Sequence, residues 1–225
     1  MNTHHIKTLV IALAATFAFN AQAAEIPNSA TLKYSGSYGI PATMTFKRSG
    51  NQYTVVANIN VPLYKIRFES GGSINGNQLI PSYYKDIRNG KTYASATMRG
   101  KQITYGKAGE SQTKTVNARV MDLFTLSWQL AFNEGKLPSG IKVTNGKKLY
   151  NIGKLSPAGS KQISLSGGKT TVNQVRLQRG DNTVQYAFAT KLGNIPAIIN
   201  YKDGDKSYNL TLKSVSINGQ TVKPQ

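Results

Sequence analysis

Along most of the chain apolar and polar positions alternate. Tyr53, Val55, Ala57 and Ile59 are separated by polar or smaller residues, and Val184, Tyr186 and Phe188 repeat the pattern. A period of two marks strands that bury one face. Turn signals interrupt these runs at short intervals: Asn75-Gly76, Asn89-Gly90, Arg99-Gly100, Asn145-Gly146, Gly180-Asp181, Asp203-Gly204 and Asn218-Gly219. Such pairs supply the positive φ angles of tight hairpins. Strands at this spacing, without helices between them, predict antiparallel pairing. In the last run (Leu210, Leu212, Val215, Ile217) the phase slips near Lys213, which predicts a bulge. Pro196 is expected on an edge strand or where a strand begins, because it lacks an N–H.

One segment departs from this pattern. In residues 116–138, "VNARVMDLFTLSWQLAFNEGKLP", the polar Asp122, Thr125, Gln129 and Asn133 fall on one narrow helical stripe. The spacing predicts an apolar helix over 118–133. Asn117 is the expected N-cap and Gly135 the residue past the C-terminus, with Pro138 beyond. A helix this apolar must be covered on nearly its whole circumference. Antiparallel strands need one face covered. Both needs are met by a mainly β fold: a strongly curved antiparallel sheet (half-barrel) wrapped around one apolar α-helix near 118–133. Strands at about 30–106 and 140–218 would join in one sheet, and residues 107–117 read as a loop.

The N-terminus changes the chemical inventory. "MNTHHIKTLVIALAATFAFNAQAAE" has Lys7, an apolar run from about Leu9 to Phe19, and Ala21-Gln22-Ala23 as an A-x-A cleavage site. The run is shorter than the roughly 20 residues of a membrane span. Residues 1–23 therefore read as a cleaved signal peptide and 24–225 as a single β-rich periplasmic domain. No later segment is apolar enough to span. The chain has no cysteine, and both histidines, His4 and His5, lie in the leader. The mature chain then holds no thiolate nucleophile, no Ser-His-Asp triad and few routes to a zinc or copper site. No cofactor and no metal are expected.

Charge points outward. The chain carries 28 Lys+Arg against 9 Asp+Glu, a formal net charge of +19, and only Lys7 among these leaves with the leader. Such a balance favours anionic surroundings. Export argues against nucleic acid and leaves phospholipid headgroups, lipopolysaccharide phosphates and acidic glycans. The lysines are spread along the sequence rather than gathered in one run.

Three stretches carry a resemblance. "INGNQLIPSYYKDIRNGK" (74–91), "MDLFTLSWQLAF" (121–132) and "GNIPAIINYKDGDKSYNLTLKSV" (193–215) resemble the exported bacterial family catalogued as domain of unknown function 3108. The resemblance covers most of the mature chain and implies a periplasmic β-rich protein. It carries over no functional residue. The architecture is similar, more remotely, to the LolA/LolB and RseB half-barrels, whose concave side holds acyl chains.

Motifs for chemistry are sparse. Ser-x-x-Lys occurs at Ser82/Lys85, Ser111/Lys114, Ser139/Lys142 and Ser166/Lys169, in turns, loops or strands rather than on a helix, and without its companion motifs. Asp203 and Asp205 are too few oxygens for calcium and are flanked by Lys202 and Lys206, so a turn is expected. Glu69 and Asp86, on strands expected to be near neighbours, are the candidate carboxylate pair for glycan hydrolysis, unless each pairs with a local base such as Arg67 or Arg88. Tyrosines interleave with cations at Lys65, Arg67, Tyr83, Tyr84, Lys85 and Arg88, the expected ligand-binding residues. The expected function is a non-enzymatic binding or scaffold protein that contacts an anionic envelope component. A glycan hydrolase and a module that docks another envelope protein are the alternatives.

Overall fold

The computed structural model describes residues 26–203 and 206–224. The leader, its two histidines and the Gly204-Asp205 turn lie outside the described residues.

Eight strands lead off: β1 (Ser29–Ser35), β2 (Pro41–Ser49), β3 (Gln52–Val61), β4 (Tyr64–Asn75), β5 (Gln78–Arg88), β6 (Lys91–Arg99), β7 (Gln102–Lys107) and β8 (Glu110–Thr115). They form an antiparallel meander. A short β9 (Arg119–Met121) and the helix α1 (Leu123–Phe132) follow. A second meander is built from β10 (Ile141–Thr144), β11 (Leu149–Leu165), β12 (Gly168–Arg179), β13 (Asn182–Ala189), β14 (Ile195–Asp203) and β15 (Lys206–Ile217). A final β16 (Gln220–Val222) folds back on β15. The two meanders meet where β1 pairs with β15, Ala30 opposite Ile217 and Ser35 opposite Thr211. The result is one large sheet, curved around α1 and not closed.

The alternation read from the sequence sorts the two faces. Tyr53, Val55, Ala57 and Ile59 are all buried, as are Val184, Tyr186 and Phe188. The phase slip at Lys213 is a bulge: Lys33 faces Ser214 while Tyr34 faces Leu212, leaving Lys213 as the extra residue. Pro196 is the second residue of β14 and lies beside a register shift; its carbonyl accepts from the buried Tyr34 hydroxyl at 2.7 Å. Gly72 serves a second bulge, between β4 and β5. A Cβ there would sit 2.0 Å from the Ile80 carbonyl oxygen, so only glycine fits.

All ten residues of α1 are buried. Trp128 and Phe132 lie 5.2 and 5.3 Å from the Phe46 ring, and Phe124 lies 5.2 Å from Phe68. The concave side is therefore a packed aromatic core. Even the polar stripe is covered, because it meets the β4–β5 hairpin hydrogen bond for hydrogen bond. Asp122 caps the helix, accepting from Phe124 N at 2.9 Å and Thr125 N at 3.0 Å. The Thr125 hydroxyl donates to Asp122 Oδ2 and lies 2.6 Å from the Ser70 hydroxyl. Gln129 accepts from Leu79 N at 2.7 Å and donates to the Asn77 carbonyl at 3.0 Å. Asn77 Nδ2 donates to Asn133 Oδ1.

Three expectations are corrected. The helix starts at Leu123 rather than near 118, capped by Asp122 and not Asn117. Residues 119–121 instead extend along β10, Val120 opposite Lys142, the one parallel pairing among the described residues. The segment 107–117 is no loop, because Glu110–Thr115 hydrogen-bonds to β7, Gln112 opposite Tyr105. Its alternation was invisible since all six residues are exposed. Among the described residues, no helix is long and apolar enough to cross a membrane.

Candidate anion-binding site

The six expected ligand-binding residues divide between the two faces of the sheet. In β4 and β5, Lys65, Arg67, Tyr83 and Lys85 point to the outer face, with Glu69 among them. Arg67 donates to Glu69 Oε2 at 2.8 Å, and the Tyr83 hydroxyl donates to Oε1 at 3.1 Å. Partial burial works against the Glu69 charge. The hydrogen bonds from Arg67 and Tyr83 outweigh it and hold the carboxyl below its usual range. Tyr83 is shifted upward by burial and by the neighbouring carboxylate. Lys85 sits across from Glu69 and 5.7 Å from the Tyr83 ring.

Tyr84 and Arg88 belong to the inner face. Tyr84 is core, stacked on Phe68. Arg88 makes a two-point pair with Asp86, Nε to Oδ1 at 3.1 Å and Nη2 to Oδ2 at 2.9 Å. Phe68 faces Asp86, so Glu69 is one register step away and lies on the opposite side of the sheet. The two carboxylates are separated by the backbone and cannot flank a single glycosidic bond. Each pairs instead with its local arginine.

The two ends of the sheet approach each other without a ladder between them. Arg119 of β9 donates to Gln78 of β5 at 2.6 Å, and the β10–β11 turn presses on β6. That turn is rigid. Asn145 Oδ1 accepts from Lys147 N at 3.1 Å and Lys148 N at 3.0 Å, while Thr144 Oγ1 accepts from Gly146 N at 3.0 Å. Gly146 has φ +81°, and a Cβ on it would come 3.1 Å from Ala94. The turn therefore fixes Lys147 and Lys148 opposite Lys107 of β7.

Between them opens a pocket of about 400 Å³, walled by Tyr93 and Tyr150, with Glu110 as its carboxylate. The Tyr93 ring carries Arg88 at 3.8 Å and Lys147 at 5.7 Å. Cations over a tyrosine face, with lysines beside them, suit a phosphate or carboxylate borne on a ring or chain. Sequence reasoning found Arg88 but missed Tyr93, Lys107, Lys147, Lys148 and Tyr150. They come from four separate elements, and only the Asn145-Gly146 turn signal pointed toward one of them.

Beneath the pocket lies a buried cation. Arg179 is 1% exposed and donates from Nη2 to the Lys202 carbonyl. Its guanidinium stacks 4.7 Å from Tyr150 and 5.8 Å from Tyr201, and its Nε and Nη1 have no hydrogen-bond partner. It borders a cavity of about 20 Å³ shared with Asp86 and Thr144, room for one water. At the other end of the seam a wider cleft, about 540 Å³, mixes Ile80, Met98 and Val116 with Lys101 and Arg119.

These features define a class of protein: mainly β, one open antiparallel sheet filled by its own helix, with a cationic seam where the sheet stops short of closing. The family model described as a protein of unknown function (DUF3108) matches residues 31–213, and the chain belongs to that family. No curated protein and no solved structure matches it, so the likeness to the LolA-type half-barrels rests on architecture alone.

Proposed function

We propose that this is a non-enzymatic periplasmic binding protein whose seam pocket takes an anionic group of an envelope component: lipid, lipopolysaccharide or acidic glycan. One observation carries the reading. Lys107, Lys147 and Lys148 line a pocket with two tyrosine rings and a single carboxylate, in a chain of net charge +19. The filled concave side speaks against an acyl chain carried along the helix, so the seam is the better place for a ligand.

The test titrates lipopolysaccharide, intact and dephosphorylated, at low and high salt against wild type and the triple variant Lys107→Gln, Lys147→Gln, Lys148→Gln. Intact material should bind at least tenfold more tightly than the dephosphorylated form, since tenfold is about 1.4 kcal/mol. Salt and the triple variant should each erase the difference. Equal binding by both forms, or an unaffected triple variant, overturns the reading. The exposed β8 edge favours a second reading, in which another envelope protein adds a strand there. In-cell crosslinking from Thr113 would capture that partner.

A further inference from the structure

The strand directions place several turns at one end of the sheet. The β1–β2 turn, the β3–β4 turn, the β5–β6 turn, the β7–β8 turn and the β10–β11 turn all lie there, because each joins an antiparallel pair at the same edge. The β14–β15 hairpin joins them: Asn209 of β15 donates to Ser37 in the β1–β2 turn at 3.0 Å. The lysine pocket opens at this same end.

Two residues there break the ordinary rules of a water-facing tip. Tyr38 and Leu63 are each 102% exposed, the two most exposed large hydrophobics among the described residues. Both also hold positive φ, 57° and 61°, a conformation that costs a non-glycine residue energy and is normally left to Gly or Asn. At the opposite end, the Asn75-Gly76, Arg99-Gly100 and Asn218-Gly219 turns carry glycine and no large apolar side chain. Lysine and arginine occur at both ends, so charge alone does not tell them apart. The fully exposed apolar tips do: at the opposite end the exposed large hydrophobic is Ile80, 36% exposed and set in the wall of the cleft of about 540 Å³ rather than at a turn tip.

At the same end of the sheet stand Lys65, Lys91, Lys107, Lys148 and Lys202, all exposed. The exposed carboxylates described at this end are Glu110 and Asp181. Apolar tips that share one end of a sheet with exposed lysines are what an interface of anionic headgroups over hydrocarbon receives best: the tips enter, and the cations stay at headgroup level. Tyrosine suits such a boundary, with an apolar ring and a polar end.

We propose that this end of the sheet docks on an anionic bilayer surface, with Tyr38 and Leu63 dipping into the interface and the lysine pocket facing the headgroups. The inference rests on the anion-binding reading above and narrows its partner to a membrane surface. It needs no spanning segment.

Co-sedimentation tests it with the mature chain. Vesicles of phosphatidylcholine alone, and of phosphatidylcholine with phosphatidylglycerol, are compared at low and high salt. Wild type should partition at least tenfold more strongly to the anionic vesicles at low salt. The double variant Tyr38→Ser, Leu63→Ser changes only exposed tips and should fold as wild type. It should lose about tenfold in partitioning, the partial burial of two apolar side chains, while retaining a soluble polyanion such as dextran sulfate. In a Leu63→Trp variant, tryptophan emission should shift to the blue on adding anionic vesicles. Three results overturn the inference: partitioning indifferent to phosphatidylglycerol, a double variant that partitions as wild type, or no blue shift from the Leu63→Trp variant. If dextran sulfate binds through the pocket lysines while any of these occurs, docking fails and the anion-binding function stands. If neither vesicles nor dextran sulfate bind, both fall.

Discussion

The polar stripe of α1 and the cationic seam are both made of hydrophilic side chains against a β-sheet, and they are opposites in how their bonding is spent. Asp122, Thr125 and Gln129 are buried, and each is committed to a helix end or to the β4–β5 hairpin. At the seam, Lys107 and Lys148 border a pocket with one carboxylate, and Arg179 keeps two buried nitrogens without partners. Buried polar groups that are fully matched fix a structure. Cations in excess of carboxylates beside an opening are available to something else. Function is better sought where the pairing is incomplete than where polar residues are merely numerous.

The sharpest way to break this contrast is to remove the cap. Asp122→Ala leaves the Phe124 and Thr125 N–H groups without their acceptor in the core. It should cost about 3 kcal/mol in urea unfolding. A loss below about 1 kcal/mol would mean that the stripe is not holding the helix. Gln129→Leu comes next. It keeps the volume but strands Leu79 N–H and the Asn77 carbonyl, and about 2 kcal/mol should be lost. The seam lysines should behave differently: the triple glutamine variant described above, with its side chains at the surface, should unfold within about 0.5 kcal/mol of wild type while losing its ligand.

The smallest effect belongs to the outer face, where pairing is complete but wet. Glu69 has its carboxyl held low in the folded state, so its contribution is present above the unfolded value of about 4.3 and fades as pH falls through the folded value. Glu69→Gln should therefore cost no more than about 1 kcal/mol near neutrality. The gap from wild type should narrow as pH falls below about 4.3, read as urea midpoints at neutrality and in acid. A gap that widens in acid would reverse the sign assigned to Glu69.

Much of the architecture was legible because it is written in period and punctuation. The alternation at Tyr53–Ile59, the slip at Lys213 and the presence of one apolar helix, read over 118–133, each came directly from the sequence. What was not legible depended on pairing across sequence distance. β8 has no buried face, so ESQTKT looks like a loop until β7 lies beside it. Residues 119–121 look like a first helical turn until β10 offers them a parallel partner. The site was harder still. Lys65, Arg67, Tyr83, Tyr84, Lys85 and Arg88 are close in sequence, yet a period of two sends neighbours to opposite faces. Lys107, Lys147 and Lys148 become neighbours only when the ends of the sheet come together.

The joint between β1 and β15 has a consequence for how the molecule comes into being. The first strand finds one neighbour at once in β2, but its other edge waits for residues 211–217, nearly the whole length of the polypeptide later. Until the C-terminal portion has been delivered, that edge offers open backbone donors and acceptors to any passing strand. Completion is thus a late, long-loop event of the slow kind, and a chain truncated before Thr211 would be left with an unsealed first strand rather than a smaller working protein.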